Sequence, residues 1–340
     1  MSETIKWSFS TDRCIRRCQR QYFLQHVAAW HNARDPVRRE AFLLKQVKTL
    51  NLWQGSLVHR GIELFIVPAL QQGRRIEWDA AIVSTEAMAK RQFAFSKARR
   101  YREKGMSKVK AKDDYCALAG HEIEAGVSPE EFQGVLHTVE QSLRNLASMT
   151  ELLEEIQCVE KYWPELPLYV GYDIARIEVH IDLLYFRAFA QPTIIDWKVS
   201  RSMGGSETDL QTALYAWAMC RHPKWRVERP EDCELIEVQL LTQNVIRHQV
   251  TKDIFDRLEN RIYRSLSMIQ SVRLGRSYNL ADLDDYDFAK NPNSCSYCPQ
   301  GALCRRLADS NGLEMPKVKA ETPHRAREDQ TYVNAYPQLF

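Results

Sequence analysis

The feature that most constrains the fold of this chain is a pair of apolar, β-branched segments that each carry an aspartate. Asp182 lies within EVHIDLLYF, and PTIIDWKVS contains Asp196, Trp197 and Lys198 near its end. A carboxylate among Ile, Leu and Tyr on a strand is costly to bury unless it is paired or binds a cation. If the two strands are neighbours, both carboxylates can converge on one divalent metal, and the two-residue period of a strand places Lys198 on the face of Asp196.

This arrangement suits hydrolysis of a phosphodiester bond. A divalent metal favours that reaction, and a lysine beside it can orient the attacking water or stabilise the charge that develops on phosphorus. The alternative is a structural ion-pair cluster at the end of a strand.

The order of the patterns along the chain indicates an α/β fold. Apolar residues recur at helical spacing from Ser8 to about Leu70, where we expect three helices, and the helical pattern continues over 72–150. After Thr150 the segments become β-branched and aromatic, which is typical of strands. The later elements that we expect are a helix over 207–222, a hairpin over 233–250 and a helix over 251–274. The prediction is a central mixed sheet flanked by helices.

The charge balance limits how this chain can bind nucleic acid. With 47 basic and 44 acidic residues the net charge is only +3, so that DNA would have to bind a local basic surface. The densest one is 90–112, with ten Lys/Arg and interleaved aromatics, a composition that suits phosphate contacts and base stacking on a single strand. The alternative is a solvated helix face. The candidate DNA-binding residues are Lys97, Arg99, Arg100, Tyr101 and Arg102.

Nine cysteines point to metal ligation rather than disulfides. No signal peptide or membrane-spanning stretch is recognisable, so we expect a cytoplasmic protein without membrane contact, in a compartment where disulfides are rare. Cys295, Cys298 and Cys304 occupy ten consecutive positions, and thiolates at this spacing can share one metal centre. The missing fourth ligand must come from a distant part of the chain.

The motifs together resemble the PD-(D/E)XK nuclease superfamily, in its RecB-type branch. Besides Asp182 and the Asp196 to Lys198 motif, that branch has a Q-x-x-x-Y signature on the next helix and an upstream G-x-x-x-H element, which match DLQTALYAW and GSLVH here. The resemblance implies that His59, Asp182, Asp196 and the carbonyl of Val199 bind Mg²⁺ or Mn²⁺. It also implies that Lys198 is the catalytic lysine and that Gln211 and Tyr215 position the DNA or the catalytic groups. Glu160 is a further candidate as an outer partner of the metal site.

The same resemblance bears on the cysteines. Some members of the branch, the AddB group and nucleases of CRISPR adaptation, hold a 4Fe-4S cluster with one N-terminal and three C-terminal cysteines. This implies Cys18, in CQRQYFL, as the partner of Cys295, Cys298 and Cys304, with Cys14 as the alternative. Zn²⁺ in an all-cysteine site is the competing interpretation.

The resemblance also implies the domain organisation. We expect one restriction-endonuclease-like nuclease domain over 1–310, in which an iron-sulfur cluster joins the N- and C-terminal segments. Its parts would be a helical N-terminal region with an insertion (1–150), a catalytic sheet core (151–275) and a cysteine segment (276–310), followed by a polar tail (311–340).

The activity expected from these motifs is that of a Mg²⁺- or Mn²⁺-dependent deoxyribonuclease. We expect an exonuclease that acts on single-stranded or unwound DNA. The chain has no Walker motif, so unwinding would need a helicase partner. The alternative is a nuclease-fold DNA-binding or docking subunit that is active only within a larger repair, CRISPR or defence complex.

Overall fold

A computed structural model describes most of the chain as two compact units. The described residues are 4–122, 126–157, 159, 161–186, 191–200, 206–225, 227–273 and 283–316. The first unit draws its described residues from 4–47, 171–178 and 257–316, and the second from 48–170 and 179–256. In the described residues no helix is both long and apolar enough to span a bilayer.

The first unit packs helices beside a short parallel strand pair. Strand β1 (Ile5–Trp7) pairs with the first residues of β3 (Ala175–Phe186). The helices of this unit are α1 (Phe9–Arg17), α2 (Gln19–Tyr22), α3 (Pro36–Lys45), the part of α12 (Lys252–Arg273) from residue 257 onward, and α13 (Gly301–Ser310). Asp12 on α1 is fully buried and is neutralised by Arg16 at 2.6 Å and Arg261 at 2.7 Å. These two arginines satisfy a charge that would otherwise be costly to bury.

The second unit contains a mixed sheet and most of the helices. Strands β3, β4 (Pro192–Lys198), β5 (Glu234–Gln239) and β6 (Asn244–His248) follow in that order, and β2 (Tyr162–Tyr172) also pairs with β3. The pairs β3–β4 and β5–β6 are antiparallel, and β4–β5 is parallel. The helices are α4 (Leu50–Gly61), α5 (Val67–Gln71), α6 (Trp78–Lys97), α7 (Lys108–Ala111), α8 (Ala119–Glu122), α9 (Pro129–Ser148), α10 (Thr150–Gln157), α11 (Ser206–Arg221) and the beginning of α12. The predicted α/β class with a central mixed sheet is confirmed.

Alternation along the strands places the charged side chains of β3 and β4 on the face of the sheet opposite the large apolar core. Leu183, Tyr185, Ile195 and Trp197 belong to a core that also contains apolar residues of α4, α6 and α9. The residues between them point the other way, because successive side chains of a strand alternate. Asp182, Asp196 and Lys198 therefore share the second face, which α11 approaches through Tyr215. β4 is buried along its whole length, which explains why it reads as a nearly continuous apolar run.

The predicted helix over 207–222, the hairpin and the helix over 251–274 correspond to α11, β5–β6 and α12. The prediction of three helices up to Leu70 was wrong, because the described residues there form four continuous helical segments, over 9–17, 19–28, 36–45 and 50–71, the last of which joins α4 to α5 through a π-helical turn. One of the breaks lies at Cys18, whose extended backbone (φ −160°, ψ 117°) separates α1 from α2. Most of the predicted polar tail, 317–340, lies outside the described residues.

Candidate metal centre

Three side chains from three elements converge beside the end of β4. They are His59 on α4, Glu165 on β2 and Asp182 on β3, and their ligand atoms all lie within 4.8 Å of one another. His59 Nδ1 is 3.6 Å from Glu165 Oε1 and 3.6 Å from Asp182 Oδ1. Carboxylate oxygens with one imidazole nitrogen form a donor set that suits Mg²⁺ or Mn²⁺, with oxygen as the preferred ligand.

The backbone N–H and C=O of Trp197 orient two of these three groups. Trp197 N donates to Asp182 Oδ2 at 2.8 Å, and His59 Nε2 lies 2.9 Å from Trp197 O. A carbonyl oxygen only accepts hydrogen bonds, so Nε2 carries the proton and donates. In the neutral ring this leaves Nδ1 with a free electron pair directed at the carboxylates, as in metal sites whose histidine is held by a backbone carbonyl.

Neighbouring charges shift the pKa values of Asp182 and His59 in the centre. Burial, together with the nearby negative charges of Asp196 and Glu165, raises the pKa of Asp182 to about 8, although His59 opposes the shift. Burial alone would lower the pKa of His59, but Asp182 and Glu165 outweigh it and raise that pKa to about 9. Buried carboxylates that gather in this way are stabilised when a divalent cation lies between them. The donor set and its charge therefore fit a divalent metal.

A second chain of contacts runs from β4 to α11. Lys198 Nζ forms an ion pair with Asp196 Oδ2 at 2.5 Å, and Tyr215 donates its hydroxyl to Asp196 Oδ1 at 3.1 Å. Gln211 Nε2 in turn donates to the Tyr215 hydroxyl at 3.2 Å. Burial and the charge of Asp196 raise the pKa of Tyr215 well above its usual value, so the phenol stays protonated and remains a donor. The residues that the sequence grouped by motif thus meet at Asp196.

Glu165 is the site residue that the sequence reasoning missed. Its φ of +44° is left-handed, a costly conformation for a residue with a side chain and one that is found preferentially at functional sites. Pro164 and Pro167 restrict the backbone on both sides of it. An acid between two prolines in the strand before Asp182 was the available signal. Glu160, which the sequence suggested instead, lies outside the described residues.

Val199, whose carbonyl was predicted to bind the metal, is buried and follows β4 directly.

A buried carboxylate on β5 adjoins the centre. Glu237 is 2% exposed and pairs in register with Asp196. It accepts from Gln239 Nε2 at 2.9 Å and lies 3.2 Å from His248 Nε2. His248 Nδ1 is 3.5 Å from Asp209 on α11. Burial alone would lower the pKa of His248, but Glu237 and Asp209 raise it.

The four predicted cluster cysteines meet in the first unit. Cys18, Cys295, Cys298 and Cys304 all line one small pocket, whereas the Cys14 thiol donates to Gln25 Oε1 at 3.4 Å.

Donors also approach the sulfurs of this pocket. Gln21 N donates to Cys18 Sγ at 3.4 Å, the backbone of Gln300 hydrogen-bonds to Cys298, and Arg20 hydrogen-bonds to Cys304. Hydrogen bonds of this kind stabilise thiolates and tune iron-sulfur clusters.

The predicted DNA-binding residues at the end of α6 are engaged in local contacts. Arg99 donates to the carbonyl of His121 at 2.8 Å, and Arg102 pairs with Glu122 at 2.6 Å. Tyr101 is 1% exposed and its hydroxyl also contacts Glu122, so its ring is not accessible to a base in this conformation. Lys97, Arg99 and Arg100 are exposed, although Arg100 also pairs with Glu103 at 3.3 Å.

Comparison with known proteins supplies the family. Comparison with curated proteins found no match. Solved structures similar to the chain include the crystal structure of SSO0001, with 13% sequence identity, a TM-score of 0.30, and coverage of 66% of this chain and 97% of SSO0001. The model of the PD-(D/E)XK nuclease superfamily matches residues 6–305, which is nearly the whole chain. The chain therefore belongs to the PD-(D/E)XK nuclease superfamily, whose members are characterised by metal-dependent nuclease activity.

Proposed function

We propose that this protein is a Mg²⁺- or Mn²⁺-dependent deoxyribonuclease whose catalytic centre lies at the end of β4. The observation that carries the proposal is the convergence of His59, Glu165 and Asp182 within 4.8 Å of one another, beside the Lys198 to Asp196 ion pair. Asp196 and the carbonyl of Val199 are the further proposed ligands.

Each group has a distinct task in the proposed reaction. A bound divalent cation would activate water and neutralise the charge that develops on the phosphate. Lys198, held at 2.5 Å from Asp196, supplies positive charge for the phosphate oxygens in the transition state. Tyr215, held by Gln211, fixes the orientation of the Asp196 carboxylate, while the backbone of Trp197 fixes the orientations of His59 and Asp182.

We propose that the substrate is single-stranded or unwound DNA and that cleavage starts from an end. The support is the basic composition of 90–112, in which Lys97, Arg99 and Arg100 are exposed and can contact phosphates without a motif for sequence readout. Duplex DNA would need a helicase partner. The second candidate function, a docking subunit active only in a larger complex, is disfavoured because the acidic set and its lysine are intact.

We further propose that the four-cysteine pocket holds a 4Fe-4S cluster. Its four cysteines line one pocket, and hydrogen-bond donors reach the sulfurs of Cys18, Cys298 and Cys304. Hydrogen bonds to the ligand sulfurs are among the features that tune iron-sulfur clusters. Zn²⁺ bound by the same four cysteines is the competing occupant.

The test is a cleavage assay on end-labelled single- and double-stranded DNA, linear and circular, with Mg²⁺ or Mn²⁺. We expect the wild-type chain to degrade linear single strands, and we expect Asp182→Asn and Lys198→Ala to be inactive but folded. Asp253→Asn and Lys252→Ala at the start of α12 are the matched controls and should remain active. Full activity in both site variants would refute the proposed centre, and cleavage of circular single strands would refute the exonuclease assignment.

A further inference from the structure

Three aromatic rings cluster on the second unit close to the metal centre. Trp163 on β2 lies 5.0 Å from Trp225 and 5.6 Å from Phe186 on β3, and Phe186 stacks on Trp225 at 5.6 Å with an interplanar angle of 19°. All three rings are half-buried, whereas Trp53 and Trp217 in the same unit are fully buried. These rings, which we call the aromatic platform, therefore keep part of their surface accessible.

Two exposed lysines lie over the platform. Lys161 Nζ is 5.1 Å from the centre of the Trp163 ring, and Lys224 Nζ is 4.5 Å from the Trp225 ring and 5.9 Å from the Trp163 ring. Both lysine side chains are exposed to solvent. The accessible part of the platform is therefore a cationic surface, which favours an anionic partner over an apolar peptide.

We propose that the aromatic platform stacks the bases of single-stranded DNA while Lys161 and Lys224 bind its phosphates. Aromatic faces combined with cations are the means by which proteins hold single strands without reading their sequence. The inference rests on the proposed function, because the platform would hold the strand whose phosphodiester bond the metal centre cuts.

The strands connect the platform to the metal centre. Trp163 lies two residues before Glu165 on β2, and Phe186 lies four residues after Asp182 on β3. An even separation on β3 places Phe186 and Asp182 on the same face of the sheet. At about 3.3 Å per residue they are about 13 Å apart along the strand, a distance covered by about four stacked nucleotides. A strand with one phosphate at the metal centre would therefore have a nearby base within reach of the platform.

Bases can displace the two lysine ammonium groups from the ring faces. An exposed cation–π contact is weaker than the stacking of a base on an aromatic ring. A base that displaces an ammonium group from a ring face leaves that group free to pair with a neighbouring phosphate. The same side chains thus cover the rings in the free protein and neutralise the strand in the complex.

The experiment measures binding of the full chain to a fluorescent oligo-dT in the absence of divalent cations, so that no strand is cut. We expect Trp225→Ala and Trp163→Ala each to weaken binding about tenfold, and Trp225→Phe to retain most of the affinity. The wild-type chain should bind an abasic oligonucleotide more weakly than oligo-dT, and the alanine variants should lose this difference. The matched control is Trp30→Ala in the first unit, where Trp30 is 53% exposed and has Arg38 over its ring at 5.8 Å. That variant should bind as the wild type does.

Several results would overturn the inference. Unchanged oligo-dT affinity in both alanine variants would do so, as would equal wild-type affinity for abasic and normal strands. Tighter binding of oligo-rU with the same dependence on Trp225 would replace DNA by RNA as the partner. If Trp225→Ala does not fold, Trp225→Phe remains informative, because oligo-dT should then quench less tryptophan fluorescence than in the wild type, and an unchanged quench refutes the stacking.

The test is separate from that of the proposed function. A platform-dependent affinity in a chain that never cleaves DNA would leave this inference standing and defeat the nuclease assignment. If the wild-type chain cleaves DNA and its platform variants bind oligo-dT as tightly as the wild type does, the nuclease assignment stands and this inference fails.

Discussion

The hydroxyl of Tyr215 is one contact that joins α11 to the metal centre, and its removal is the most direct test of how Asp196 is held. Tyr215→Phe deletes the donor to Asp196 Oδ1 at 3.1 Å and the acceptor of Gln211 Nε2, and leaves the Lys198 ion pair in place. A hydrogen bond to a charged group contributes about 1.5–3 kcal/mol. If that amount is lost from the transition state, kcat/KM falls about 10- to 100-fold at about 1.4 kcal/mol per factor of ten.

The assay follows the initial rate of DNA cleavage against Mg²⁺ concentration, with thermal unfolding measured on the same preparations. We expect a lower maximal rate, a higher Mg²⁺ concentration at half-saturation, and a loss of stability of about 1.5–3 kcal/mol. Tyr185→Phe is the matched control, since that buried tyrosine lies on the opposite face of the sheet, where its hydroxyl contacts Glu155 at 3.3 Å. The reasoning is refuted if Tyr215→Phe keeps the wild-type rate and Mg²⁺ dependence, or if Tyr185→Phe changes them equally.

Three further predictions follow from the same contacts. Glu165→Gln removes one of the converging carboxylates, so it should raise the Mg²⁺ concentration needed for half-maximal cleavage by about tenfold or more, and an unchanged titration would exclude Glu165 from the site. His248→Ala leaves Glu237 buried without its histidine, which should cost about 1–3 kcal/mol in urea unfolding. The pKa of His248 is raised above 6.5 in the folded state. The loss of stability in His248→Ala should therefore be fully present below about pH 6.5 and disappear as the pH rises through the folded pKa. A loss of stability that grows with pH would contradict the pairing. Cys18→Ser should abolish the iron content and visible absorption of anaerobically purified protein, whereas Cys14→Ser should retain both, and the opposite pattern would reassign the fourth ligand.

The sheet and its polar face could be predicted from the sequence because strand periodicity is a local property. Asp182, Asp196 and Lys198 stand out as charges within apolar runs, and α11 follows β4 with Gln211 and Tyr215 one turn apart. The local pattern therefore singled out Asp182, Asp196 and Lys198 without knowledge of the tertiary contacts, whereas Gln211 and Tyr215 were implied by the resemblance to a known family. The resemblance to a known family supplied His59, which has no distinguishing local signal on α4.

Residues whose role depends on long-range contacts could not be predicted in this way. Glu165 has a left-handed backbone conformation within β2, and its side chain reaches His59 from there. No periodic pattern in the sequence encodes such a bend. Tyr101 read as a stacking residue because it lies in a basic run, but its partner Glu122 is 21 positions away. Trp163 and Trp225 are 62 residues apart, so only the fold reveals their contact.

The position of β4 between two partner strands makes its length as important as its composition. Ile195 and Trp197 face the apolar core while Asp196 and Lys198 face the metal centre. Deleting one residue from the middle of β4 would exchange these two sets, so that the carboxylate enters the core and the indole the cation site. A substitution in this strand can keep the apolar and charged residues on their faces, but an insertion or deletion of one residue cannot. We therefore expect natural variation in length to be confined to the segments that precede and follow β4.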